Sequence, residues 1–128
     1  MEFIGSLIAE NEVILVVMFV LMALDIVSGL VKAFATGTYK SSIMRTGLYH
    51  KIAYIILVVV AATLQATINV PDLQLGFDIP VLIGTCSYII MTEFMSIMEN
   101  LSVINPDLAK FTSRWLQDVE HDASMDKS

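Results

Sequence analysis

VILVVMFVLMALDIVSGLVKAFA, residues 13–35, is an apolar run long enough for a membrane-crossing helix, and the carboxylate of Asp25 lies inside it. A charged side chain deep in lipid costs about 2.5–3.5 kcal/mol or more, so Asp25 signals a buried partner and a task. Gly29, Ala33 and Gly37 follow Asp25 at four-residue intervals. On a helix that spacing lines small residues along one side, where a neighbouring backbone can approach closely. The run is therefore expected to assemble with other helices in a bilayer.

Two further apolar stretches, residues 52–70 and 79–98, are each long enough to span hydrocarbon. With 56% hydrophobic residues and a mean hydropathy of +0.75, the chain has too little polar sequence to coat a soluble core. Backbone polar groups in lipid must be satisfied internally, and no alternating segments suggest a barrel, so each span is expected to be a helix. The expected fold is an all-α integral membrane protein with three transmembrane helices and a C-terminal amphipathic helix, forming oligomers. Residues 1–102 make the membrane domain and residues 103–128 a cytoplasmic helix with an acidic tail.

The opening MEFIGSLIAENEV carries Glu2, Glu10 and Glu12 and no base, unlike the basic start of a secretory signal, so the first span is expected to be retained. Between the first two spans, GTYKSSIMRTGLYHK (37–51) holds Lys40, Arg45 and Lys51 without an acid. PDLQLGFD (71–78) holds Asp72 and Asp78 without a base. The positive-inside rule then places the N-terminus outside, the first loop inside, the second outside and the C-terminus inside. Lys32, Lys110 and Arg114 fall on the inner side as well.

The formal net charge of −6 does not argue against an anionic membrane, because the bases are concentrated at one face. No basic stripe interleaved with aromatics points to nucleic acid. The single cysteine, Cys86, reads as a small buried thiol, with an intermolecular crosslink as the alternative. His50 and His121 are isolated, no catalytic, metal or cofactor motif is present, and the chain is not expected to be an enzyme.

Asn105, Pro106 and Asp107 supply an N-cap, a first-turn proline and an acid suited to the helix dipole. In the helix they start, Leu108, Phe111, Trp115 and Val119 share one face. That face is expected to lie on the inner leaflet or to pack on a neighbouring subunit. The closing EHDASMDKS is short and polar and is expected to be disordered.

Counted along their helices, Asp25 and Glu93 fall at similar depth, about two-thirds of the way to the inner face. Two carboxylates there repel unless one is protonated or a cation is recruited. Lys32, Arg45 and Lys51 are the cations at hand. Lys32 lies two turns from Asp25 on the same helix, too far for a direct pair, so the partner is expected on another helix or subunit. The simplest reading is an inner-side salt-bridge cluster that locks the helices; the sharper one is a cluster that rearranges when the membrane is opened.

LDIVSGLVKAFATG (24–37), SSIMRTGLYHK (41–51) and EFMSIMENL (93–101), in that order across three spans, resemble the toxin-secretion and phage-lysis holin family. The resemblance rests on Asp25, Gly29, Lys32 and Ala33, on Ser41, Ser42, Arg45, Gly47 and Lys51, and on Glu93, Ser96, Glu99 and Asn100. It implies a non-enzymatic protein of the bacterial cytoplasmic membrane that accumulates and then opens it, letting an endolysin or large toxin through. The polar cluster and gating candidates are then Asp25, Lys32, Arg45, Lys51, Glu93, Glu99 and Asn100. The acidic tail departs from the basic ending common among holins.

Three short helices cannot enclose a protein-sized hole, so such a function requires many copies meeting through faces such as Gly29/Ala33/Gly37 and Ala62/Ala66. The expected partners are membrane lipid, further copies of the chain and an antiholin, with a functional link to the released endolysin or toxin. Two other classes share these features: a non-opening scaffold or antiholin-like regulator, and a small ion or proton conductor using Asp25 and Glu93 as relay groups.

Overall fold

A computed structural model describes residues 2–70 and 79–127, with the side chains of Phe3, Thr112 and Leu116 outside the description. Five helices and no strand occur among these residues: α1 (Glu2–Glu10), α2 (Glu12–Ala35), α3 (Ser41–Ile68), α4 (Val81–Ile104) and α5 (Pro106–Met125). α2, α3 and α4 are the helices long and apolar enough to cross a membrane. The expected outer connection, with Asp72 and Asp78, lies outside the described residues.

The boundaries differ from the hydropathy reading in instructive ways. α3 begins at Ser41, not near residue 52, so the polar SSIMRTGLYH is helical too. At about 1.5 Å per residue α3 is roughly 42 Å long, longer than the hydrocarbon layer of about 30 Å. Likewise α4 continues to Ile104. The tail expected to be disordered is helical as far as Met125, because Asn105 caps its start through the Asp107 N–H at 3.1 Å and no breaker follows Pro106.

α1 was not expected. Asn11, at φ −111°, interrupts what is otherwise continuous helix, and its amide donates to the Leu7 carbonyl at 2.8 Å. The break turns α1 away from α2 so that it packs on α3 and buries Leu7. Gly37 was expected on the small-residue face of the first span. It lies instead beyond the end of α2, in the turn to α3 at φ +67°, where a glycine adopts a left-handed backbone without strain.

α4 is the hub. α2 and α3 each pack on it and scarcely on each other, and α5 folds back against it. Met18 and Met22 of α2, Ala61 of α3, and Leu82, Cys86 and Ile89 of α4 form the core with Leu7, flanked by Ala62. Cys86 is fully buried there, so this fold does not present it to another chain. The start of α4 is held by Gln65 of α3, whose side-chain oxygen accepts from the Leu82 N–H at 2.8 Å. At most 28% of the most apolar stretch of any span is buried, which leaves wide apolar faces for lipid or for other copies.

Candidate functional site: a buried ion cluster between three helices

Each spanning helix contributes one charged side chain to a single point. Asp25 of α2 sits about 15 Å from the end of its helix at Ala35, Lys51 of α3 about 15 Å from Ser41, and Glu93 of α4 about 17 Å from Ile104. The hairpin path of the chain thus brings them to one depth. Lys51 Nζ donates to Asp25 Oδ2 at 2.7 Å and to Glu93 Oε2. The side chains of Glu93, Lys51 and Asp25 are 1%, 9% and 16% exposed, so the cluster is shielded even before lipid surrounds it.

Polar neighbours complete it. Asn100, about two α4 turns beyond Glu93, donates to Asp25 Oδ1 at 3.3 Å and to Ser28 Oγ at 3.0 Å. Ser28 Oγ donates back to the Asp25 carbonyl at 3.1 Å. The Tyr54 ring lies one turn along α3 from Lys51, its centroid 5.9 Å from Nζ. No buried side-chain nitrogen or oxygen among the described residues lacks a partner. One ammonium between two carboxylates relieves their repulsion, while Asn100 orients the Asp25 carboxylate and Ser28 in turn holds Asn100.

The other residues singled out in the sequence fall around this point. Lys32 and Arg45 line a neighbouring cavity and form no ion pair among the described residues. Glu99 is exposed on α4. Gly29 faces the same chain rather than another: a Cβ added there meets Asn100 Nδ2 at 3.5 Å, an ordinary contact distance, so the small residue marks where α4 approaches α2. Ala33 is half-buried beside the cavity, and Ala62 and Ala66 are half-buried on α3.

Of the face of Leu108, Phe111, Trp115 and Val119, Phe111 and Trp115 lie against α4 of the same chain, an arrangement the sequence reading did not include. Phe94 and Trp115 make an edge-to-face pair with centroids 6.3 Å apart, and Met95, Met98 and Phe111 line the same groove. Leu108 is half-buried, while Phe111 and Val119 remain largely exposed. Ser28 and Gln65 were missed. Ser28 lies three residues from Asp25, the i, i+3 spacing that makes it a natural second member of the cluster; for Gln65, its cost in an apolar run was the available signal.

No curated protein and no solved structure matches the chain. The family model of the bacteriophage holins matches residues 2–120, nearly its full length. A multi-pass arrangement of spanning helices in the cytoplasmic membrane follows from that match together with the three apolar helices. The chain belongs to the bacteriophage holin family.

Proposed function

We propose that this holin-family protein oligomerises in the bacterial cytoplasmic membrane and permeabilises it, releasing an endolysin or a large toxin. The observation that carries the reading is the cluster of Asp25, Lys51 and Glu93, one from each span. A buried pair of this kind contributes little net stability relative to apolar packing, yet it costs several kcal/mol to break one-sidedly. It therefore acts as a lock whose partners can be exchanged between copies. The wide apolar faces of α2 and α3 supply the surface on which copies meet.

In this proposal residues 1–102 form the membrane unit and residues 103–128 a cytoplasmic appendage, with the turn between α2 and α3 also in the cytoplasm. Asp25, Lys51, Glu93 and Asn100 hold the closed form, and Lys32, Arg45 and Glu99 are the charges available to the rearranged one. An antiholin acts by stabilising the closed arrangement.

Inducible expression in a bacterium, with a potential-sensitive dye and leakage of a cytoplasmic protein followed together, tests this. Release of whole protein molecules at the time of depolarisation is the expected outcome. Depolarisation without release shows an ion conductor instead, and neither signal, with the chain in the membrane, shows a scaffold or regulator.

A further inference from the structure

A cavity of about 520 Å³ opens between α2 and α3 on the side of the turn that joins them, because both helices pack on α4 and scarcely on each other. Its rim carries Lys32, Lys40 and Arg45. Its wall is apolar, with Ile26 on α2 and Ile43, Met44 and Leu48 on α3. Its floor is Asp25 and Lys51, whose cluster with Glu93 sums to one negative charge, so the three rim cations, unpaired among the described residues, leave the site net positive. α3 starts beside this rim with no side-chain cap, adding the positive end of its dipole.

We propose that this cavity binds an anionic phospholipid of the adjoining leaflet, the headgroup phosphate held by Lys32, Lys40 and Arg45 and an acyl chain laid along the apolar wall. Charge complementarity and depth select the occupant. Lys32 lies in the last turn of α2 and Arg45 in the first turns of α3, which is headgroup level for helices of this length. Three cations above an apolar slot match a molecule with a phosphate at one end and a hydrocarbon chain at the other. A second copy of the chain would bring its own basic rim against this one. Gly47 lines the cavity, and a Cβ added there meets nothing within 4 Å, so a long side chain at this position has room to grow into the slot.

Native mass spectrometry of the full-length protein, released from detergent and titrated with phosphatidylglycerol or with phosphatidylcholine of the same acyl chains, tests the site. Phosphatidylglycerol is expected to bind more tightly. Lys40→Gln with Arg45→Gln should weaken it about 25-fold, at about five-fold per surface cation, and leave phosphatidylcholine unchanged. Gly47→Leu should reduce retention of both lipids with the helical circular dichroism kept, since leucine is the better helix former. Lys110→Gln with Arg114→Gln, neither of which lines the cavity, should leave the preference for phosphatidylglycerol intact. Equal binding of the two lipids, an unchanged affinity in the double rim variant, or full retention in Gly47→Leu overturns the proposal. So does displacement by glycerol phosphate at concentrations equal to the lipid, which would show a phosphate site without a chain slot. A dimer signal that the rim variant abolishes in the absence of lipid would assign the cavity to a second copy and equally overturn it.

Discussion

Lys51 holds together two carboxylates that have no water to fall back on. Replacing it with methionine keeps the length of the side chain and leaves Asp25 and Glu93 facing each other uncompensated. The expected loss is about 3–5 kcal/mol of stability, read as easier unfolding by sodium dodecyl sulfate in mixed micelles. Neutralising the whole set, with Asp25→Asn, Lys51→Met and Glu93→Gln together, should recover most of that loss, since no buried charge then remains. A triple variant as unstable as Lys51→Met alone would show that the cluster does more than compensate buried charge. Asp25→Asn keeps shape and Asn100 within reach but halves the hold on Lys51, and at matched protein level the onset of lysis should shift. Asp25 and Glu93 were legible because charge in lipid is costly. Their partner was not singled out among Lys32, Arg45 and Lys51, because spacing along a chain does not determine the register between helices. That register depended on α3 starting at Ser41, which places Lys51 well inside the helix.

At the scale of helices, contact with α4 decides how much change an element tolerates. Gly29→Ala places a methyl at ordinary contact distance from Asn100 and favours the helix, so it should unfold at or above the parent's detergent concentration. Gly29→Leu drives a larger side chain into the Asn100 contact and should destabilise by about 1–3 kcal/mol while still inserting. Equal stability of the two variants would mean that α2 and α4 are not closely apposed there. The three spans were legible because lipid forces long apolar helices. α1 and the end of α5 were not: a nine-residue helix and a polar helical tail carry no such compulsion, and their form depends on the Asn11 break and the Asn105 cap. Small-residue spacing told that one side of α2 is approached closely, but not whether by its own chain.

For the whole molecule, the loop charges predict which way it faces and the exposed apolar sides predict how copies meet. In a Cys86→Ala background, a cysteine at Tyr39 should react with a membrane-impermeant thiol reagent only from the cytoplasm, and one at Leu73 only from outside. Reaction of Tyr39 from the outside would invert the orientation. Crosslinking through exposed α2 or α3 positions such as Val16 or Val59 should give ladders of many copies, as an assembly built from lipid-facing surfaces requires.

The fold-back of α5 has an optical consequence. Trp115 is the chain's single tryptophan, and its edge-to-face partner Phe94 directly follows Glu93. Its fluorescence therefore comes from one place, a helix leaning on the helix that carries the buried glutamate. Any movement that lifts α5 from α4 carries the indole to a different environment and changes the colour of its emission. In vesicles, with no added dye, a stopped-flow trace at this one wavelength can be laid over the time course of leakage to learn which comes first.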